Sequence, residues 1–398
     1  MKVLVINSGS SSLKFQLRDM TEHTVMAQGT VEKIGLPMGI FTLKAGDLKI
    51  TKEMHVPNHE IAVELALSDL LETEAVGLRS LDEIDAIGHR IVQGGDSFDK
   101  AMLITEDVYE KIREYGAMAP LHNPAHLKGI DACSFLVPGK PQIAVFDTAF
   151  HQTMEPAAYT YGLPKHYAQK HKIRRYGAHG TSHKYVAGRV AELMGKPLDE
   201  LKIITCHLGN GSSITAIKNG KVVDTSMGFT PHEGMIMGTR CGDIDATAVL
   251  YLMRQEQISS AAMDHLLNKE SGLLGVSGVS SDLRDIENAI KEGNADAKLA
   301  RDIFVHRAKK YIGSYIAEMN GVDAIVFTAG IGENSADARR DICADLEYLG
   351  ISIDEQENNI RGEEKAIHSA EARVQVWVVP TNEELSIAED VVQVLQSM

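Results

Sequence analysis

The chain has 398 residues, 44% hydrophobic and 24% charged, enough for two domains with cores of their own. Its 55 Asp and Glu against 40 Lys and Arg leave a net charge of −15, which argues against nucleic acid or an anionic membrane as partner and requires a locally positive site for any anionic ligand. Four scattered cysteines form no CxxC pair and no apolar run approaches the ~18 residues of a membrane span, so neither a disulfide framework, a zinc site nor a transmembrane segment is indicated, and a cytoplasmic protein with reduced thiols is expected.

The first element, KVLVINSGSSSLKFQL, reads as a strand, a Gly/Ser turn and a second strand. Its apolar start is too short for a signal peptide. A tight turn would account for NSGSSS, and small residues would also let backbone N–H groups and hydroxyls approach an anion. It is not a P-loop, because Gly9 is followed by serines and a strand. Lys14 is either a surface lysine or a cation for that anion. HEIAVELALSDLLE at 59–72 is a predicted helix. IDAIGHRIVQGG at 84–95 is a strand running into glycines and carries Arg90. His122, in APLHNPAH, reads as structural or charge-stabilising. PQIAVFDTAFH at 141–151 is a strand ending at Asp147, and the second half is expected to begin just after it.

A helix is predicted over 182–194, with Thr181 or Ser182 at its start and Gly195 and Pro197 at its end. His179 and His183 have the HxxxH spacing of a zinc site, but Gly180 between them argues against one. KIITCHLGNGSSITAI at 202–217 repeats the strand, turn, strand pattern. Arg240 sits in MGTRCGD. Residues 301–319 place Phe304, Ala308, Tyr311, Ile312, Tyr315 and Met319 on one helical face. VDAIVFTAGIGE at 322–333 is again a strand running into glycines. Ser335 breaks a GxGxxG match in GIGENS, and a helix is expected from Ser335 with Asn334 and Asp337 as candidate caps; strand, glycines and helix N-terminus together form a phosphate site. VQVWVVPTNEE at 374–384 ends in Glu383, and a last helix from about Leu385 would return to the first domain.

Three kinds of landmark thus recur in pairs, in the same order, which points to duplication. Strands alternating with helices give an α/β fold. Both Gly/Ser turns are then expected to face one cleft between the halves, where a nucleotide would be held. Arg90 and Arg240, in glycine-rich apolar surroundings, are suited to a carboxylate or phosphate by their planar fork. Asp147 and Glu383, at the ends of equivalent strands, either cap the sheet or hold Mg²⁺.

NSGSSSLKF, GHRIVQGG, APLHNPAH, VFDTAFHQTM, RRYGAHGTSHKYV, HLGNGSS, DTSMGFTP, MGTRCGDID, KESGLLG, SSDLRDIE, FTAGIGENS and PTNEEL, in this order, resemble the acetate kinase family across the whole chain. The resemblance implies duplicated ribonuclease-H-like domains of the sugar kinase, heat-shock ATPase and actin superfamily, with the active site in the interdomain cleft. The domains would be 1–147 plus 385–398, and 148–384. It implies reversible transfer of the γ-phosphoryl group of ATP to acetate, giving acetyl phosphate and ADP, with Mg²⁺ or Mn²⁺, by a homodimer. By resemblance, Ser10, Ser12 and Lys14 lie at the phosphate end, and Asn7, Asp147 and Glu383 organise the metal. Arg90 and Arg240 orient acetate, His179 contacts the phosphoryl group and His122 supports it. His207, Leu208, Gly209, Asn210, Gly211 and Ser212 form the second phosphate hairpin. Asp282, Leu283 and Arg284, with Gly330, Ile331, Gly332, Glu333 and Asn334, form the adenosine pocket. Val92, Leu121, Ala178 and Pro231 fit the acyl methyl group. Gln93, His232, Cys241 and Ala246 depart from the commonest family pattern, and Gln93, His232 and Ala178 beside the acyl pocket bear on acyl preference.

The chemistry agrees with these residue types. A carboxylate, with a pKa of about 4–5, is already a nucleophile at pH 7 and needs no general base. Bringing it to a polyanionic nucleotide needs cations, and positioning plus charge stabilisation is most of what phosphoryl transfer requires. Direct transfer without a phosphoenzyme follows. A propionate or butyrate kinase is the nearest rival, since one methylene is worth only about 1–3 kcal/mol; Val92 favours acetate. A conformational ATPase would need a partner-binding extension, for which residues 385–398 leave no room. A pyrophosphate-using relative is disfavoured by GIGEN and SSDLRD.

Overall fold

The computed structural model describes residues 1–9, 11–120 and 122–398, so Ser10 and Leu121 lie outside the described residues. The chain forms two compact units, Met1–Gln152 with Asn382–Met398, and Thr153–Thr381. The second is inserted into the chain of the first.

The first unit holds β1 (Lys2–Ser8), β2 (Ser12–Asp19), β3 (Thr24–Glu32), β4 (Gly39–Ala45), β5 (Leu48–Met54), β6 (Ala86–Ile91), β7 (Met102–Leu103) and β8 (Gln142–Phe146). They lie in the order β5-β4-β3-β2-β1-β6-β8-β7. The second unit holds β9 (Lys202–Leu208), β10 (Ser212–Lys218), β11 (Lys221–Thr225), β12 (Ala324–Thr328), β13 (Lys365–Ala366) and β14 (Gln375–Val378), in the order β11-β10-β9-β12-β14-β13. In both sheets an antiparallel three-strand meander (β1–β3, β9–β11) is followed by two parallel strands (β6 and β8, β12 and β14) and a short antiparallel edge (β7, β13). The three recurring sequence pairs occupy equivalent places, and the duplication is borne out.

Alternation along β1 divides its side chains between two cores. Leu4 and Ile6 join Val63, Leu67 and Leu70 of the helix His59–Glu72 and Cys133 of the helix Asn123–Leu136. Val3 and Val5 join Ile387, Ala388 and Val391 of the helix Glu383–Gln396. A Cβ at Gly88, in β6, would lie 2.7 Å from Val391 and 2.8 Å from Ile387, so glycine there lets this helix lie on the sheet. That close approach brings Glu383, the first residue of the helix, to the C-terminal end of the parallel strands. In the second unit Phe304, Ala308, Ile312, Tyr315 and Met319, all on the predicted face, are buried along the helix Ala295–Met319.

Two local expectations change. The helix predicted from 182 spans Gly180–Met194, and its N-cap is His179 in the left-handed region at φ 59, with no side-chain cap. After β12 a short helix, Ala329–Asn334, absorbs the GIGEN residues, and Ser335 rather than Asn334 or Asp337 caps the next helix, Ala336–Cys343. Asn334 instead donates its amide to the Gly330 carbonyl at 2.9 Å.

Candidate active site

In the first unit the strand ends gather one cation and two acids. Arg90, at the end of β6, donates Nη2 to Asp147 Oδ2 at 2.6 Å and Nε to Oδ1 at 3.1 Å. Its Nε also lies 3.8 Å from Glu383 Oε2, and its Nη1 3.4 Å from Asn7 Oδ1. Burial opposes the Arg90 charge, but Asp147 and Glu383 outweigh it and hold the guanidinium above its usual range. The Glu383 carboxyl is raised by burial, with Arg90 opposing and Asp147 and Glu384 adding. Lys14 faces Asn7 directly across the β1–β2 pair. The turn before it is braced from outside: His59 donates Nε2 to the Gly9 carbonyl at 2.6 Å, and Gly9 N–H donates to the Ser12 carbonyl at 2.7 Å.

The loop after β6 is strapped by the helix that follows His122. Asn123 accepts from Gln93 N–H at 3.2 Å and returns its amide to the Gln93 carbonyl at 2.9 Å. His126 Nε2 accepts from Val92 N–H at 3.3 Å. Burial, then the Arg90 charge, push His126 well below the usual imidazole range, which keeps it the neutral acceptor that this bond needs. Val92 is buried. Gln93 turns its Oε1 onto Gly95 N–H at 2.8 Å, so this side chain serves its own loop.

In the second unit the hairpin between β9 and β10 lies beside His179 and Arg240. A Cβ at Gly211 would sit 3.5 Å from both Arg240 Nη1 and His179 Cε1. His179 Nδ1 meets Ser213 Oγ at 2.9 Å, and its ring stacks on His207 at 4.1 Å between centroids. His183 Nε2 meets the same hydroxyl at 2.7 Å, and no cluster of three metal-ligating side chains exists among the described residues. Arg240 Nη1 donates to the Pro231 carbonyl at 2.9 Å. Arg240 makes no ion pair among the described residues, and burial alone lowers it from its usual range. Arg175 fixes the segment that carries Pro231, donating to the carbonyls of Thr225, Ser226 and Met227 and to Glu233. Ala178 is buried next to His179. His232 Nε2 contacts Cys241 Sγ at 3.2 Å, so two of the unusual positions touch each other, and Cys241 is the half-buried one of four free cysteines.

A cavity of about 550 Å³ is lined in part by the same hairpin, within the size range of small-molecule sites. Gly209 and Asn210 of that hairpin line it together with Asp282, Leu283, Arg284, Gly330, Ile331 and Asn334. Asp282 caps the helix Leu283–Lys291 and holds Arg284 at 2.5 Å, and that hydrogen bond lowers its own carboxyl. His207, Leu208, Gly211, Ser212, Gly332 and Glu333 do not line it. Glu333 instead accepts from the N–H groups of Ala329 and Thr381 at 2.7 and 3.1 Å, bracing the turn. Ser281, Glu287, Ser335 and Arg361 also line the cavity and were missed. Ser281 and Ser335 lie inside motifs already quoted, and Glu287 follows Arg284 by one helical turn. Arg361 had no local signal. It arrives because the wholly buried Arg339 ties Gly332, Asn358 and Ile360 together.

The acetokinase family model matches residues 2–389. This chain belongs to the acetokinase family. An acetate kinase of Moorella thermoacetica is 55% identical over 398 residues, spanning 100% of both chains. The crystal structure of Porphyromonas gingivalis acetate kinase matches with a TM-score of 0.95 at 50% identity, covering 99% of each chain. That of a propionate kinase from Francisella tularensis subsp. tularensis gives 0.92 at 43% identity, covering 98% of each. An acetokinase is a phosphotransferase with a carboxylate acceptor, and the family works with ATP and ADP. Among the described residues no helix is long and apolar enough to cross a membrane.

Proposed function

We propose that this chain transfers the γ-phosphoryl group of ATP to the carboxylate of acetate, reversibly, giving acetyl phosphate and ADP. The observation that supports it best is Arg240: a half-buried guanidinium with no ion pair among the described residues, beside His179 and a glycine hairpin. Such a group is matched to an anion that arrives from outside. The cavity at the hairpin takes the nucleoside, with Arg284 and Arg361 at its wall. Arg240 and His179 then bear on the transferring group and the acyl carboxylate. Val92, Ala178 and Pro231 are the acyl-contacting residues whose structure is described. No side chain is required as general base, because the acceptor is already ionised.

The donors in the first unit fit Mg²⁺ or Mn²⁺. Asn7, Asp147 and Glu383 offer hard oxygens, and Mg²⁺ is typically held by one or two carboxylates with phosphate oxygens and water. The Glu383 carboxyl is raised first by burial, with Asp147 and Glu384 adding to it against Arg90 and Lys14, so a cation arriving there would favour its ionised form. The metal would supply charge neutralisation at the phosphates. Arg90 keeps Asp147 and Glu383 oriented while it is absent.

The test is a hydroxamate assay with ATP, Mg²⁺ and, separately, acetate, propionate and butyrate. The expected result is acyl phosphate mainly from acetate. A preference for a longer acid would keep the mechanism and change the substrate, and ATP hydrolysis without acyl phosphate would refute the reading.

The partner is proposed to be a second copy of the chain, in the cytoplasm, and neither nucleic acid nor membrane. The helix Ala246–Glu256 has no buried residue, and Leu250 and Tyr251 on it are 51% and 61% exposed beside exposed Ile244. An apolar surface of this kind favours an interface. Sedimentation velocity is expected to give a dimer, and Leu250→Lys to shift it to monomer; a monomeric native protein would sink this part.

A further inference from the structure

Between Glu155 and Glu192 the sequence contains no Asp or Glu, yet it carries seven Lys and Arg, in a chain whose net charge is −15. Part of this positive charge is already matched. Arg175 lies against Glu233 and Asp224, and Arg189 against Glu192 and Glu364. Arg174 lies over the Tyr159 ring, 3.5 Å from its centroid. Lys165 and Lys170 are different. They stand at the two ends of the short helix Lys165–Lys170, both exposed, and form no ion pair among the described residues.

That helix belongs to an excursion of the chain that is closed at its base. Arg175 N–H donates to the Tyr159 carbonyl at 2.8 Å, and Ile173 N–H donates to the Ala168 carbonyl at 2.8 Å. The base is fastened to the segment that carries Pro231. Arg175 donates to the carbonyls of Thr225, Ser226 and Met227. Tyr161 Oη accepts from Phe229 N–H at 2.8 Å and donates to Glu233. Pro231 lies between those two residues, and its carbonyl holds Arg240. On its other side the excursion runs on through Arg175 into Ala178 and His179. Two unmatched cations are thus mounted on a loop rooted in the wall of the candidate site.

A ligand with several negative charges approaches an acidic protein against a repulsive field. A patch of the opposite sign near its destination reverses that field locally, over a range set by the salt. Lysine suits this task, because a hydrated point charge on a flexible stem attracts at a distance without needing a fixed geometry. We propose that Lys165 and Lys170 form a capture surface that draws the anionic nucleotide to the site and does not touch it once it is bound. The proposal rests on the phosphotransfer reading for the identity of the anion. It assigns these lysines to the arrival of the nucleotide and not to the chemistry, so they act on the association rate and leave dissociation and kcat alone.

The test is stopped-flow association of a fluorescent ATP analogue with the full-length chain, at about 0.01 M salt, where the Debye length is ~30 Å, and at about 1 M, where it is ~3 Å. Lys165→Glu combined with Lys170→Glu is expected to lower the association rate about 3–10-fold at low salt and to match the native protein at high salt, with dissociation within about twofold throughout. Lys44→Glu combined with Lys49→Glu, at exposed positions of β4 and β5 in the first unit, makes the same change in net charge and is expected to leave the rate nearly native. In the hydroxamate assay at low salt, the double variant of Lys165 and Lys170 is expected to raise the KM for ATP more than that for singly charged acetate, with kcat unchanged. A native association rate in that variant at low salt, a loss that persists at high salt, or an equal loss in the variant of Lys44 and Lys49 would overturn the proposal. If the native protein binds the nucleotide but makes no acyl phosphate, the functional reading fails and the association rates still decide the capture surface.

Discussion

Replacing Arg240 with alanine is expected to lower kcat/KM for acyl phosphate formation by about 10³-fold or more, while the melting temperature stays level or rises. The two effects separate because this guanidinium satisfies no protein anion. Burial lowers it, and no acid offsets that cost. Its removal gives up a hydrogen bond to the Pro231 carbonyl and a 3.5 Å contact with Met237 sulfur, but it also relieves a half-buried charge that has no ion pair among the described residues. Arg240→Lys keeps the charge and loses the fork, so it should fall between the two in activity. Scanning calorimetry beside the hydroxamate assay checks both halves. A large drop in melting temperature would show that Arg240 holds the fold, and would remove the argument that its partner is the substrate.

Arg90→Ala should cost as much activity and behave in the opposite way toward stability. Here the cation lies against Asp147 and near Glu383, and taking it away leaves two carboxylates facing each other. Breaking a buried pair from one side costs about 3–5 kcal/mol. The loss should also depend on pH. Glu383 already has a raised carboxyl, from burial first and then from Asp147, with Arg90 opposing. A carboxyl whose folded pKa exceeds its unfolded value stabilises fully below the unfolded value, and that contribution is lost as pH rises through the folded pKa. Without Arg90 the folded value moves further up. The melting temperature of the variant should therefore fall more steeply than that of the wild type from about pH 4.3 upward. Parallel curves would mean that Arg90 does not control Glu383.

The parts of the fold that were legible share a physical origin. β1, β6, β8, β9 and β12 are covered on both faces along most of their length, so their sequences are apolar runs that end abruptly at polar or glycine residues, while β14 buries alternate residues. Their pairing in two sets showed the duplication. The face of the helix Ala295–Met319 was equally plain from its 3.6-residue period. Capping was less legible. His179 starts its helix in a left-handed conformation, which side-chain cap preferences do not anticipate. The GIGEN segment looked like a loop before a helix, and the structure winds it into a turn fastened by Glu333. Within the candidate site, strand ends and turns drew attention to Arg90, Asp147, Glu383 and Asn210, and the structure brings the first three together. Arg361 and Arg175 could not be found this way. Arg175 acts on carbonyls far from it in sequence, and Arg361 follows a segment held by the carbonyl bonds of Arg339, and carbonyls carry no side-chain signature. Family resemblance, rather than periodicity, supplied most of the individual roles.

The helix that carries Glu383 also makes the order of synthesis matter. Residues 1–152 leave the ribosome long before Glu383, Ile387 and Val391 exist. Until then β1, β6 and β8 lack the apolar cover of that helix, and Arg90 has one of its two acids. The inserted unit, Thr153–Thr381, is complete as a chain segment before the first unit receives its last helix. On the reading proposed above, the growing chain therefore holds its nucleotide pocket before it holds both acids proposed for the metal. On that reading, a chain still lacking Glu383 would bind nucleotide without being equipped to spend it, and competence for chemistry would arrive with that helix.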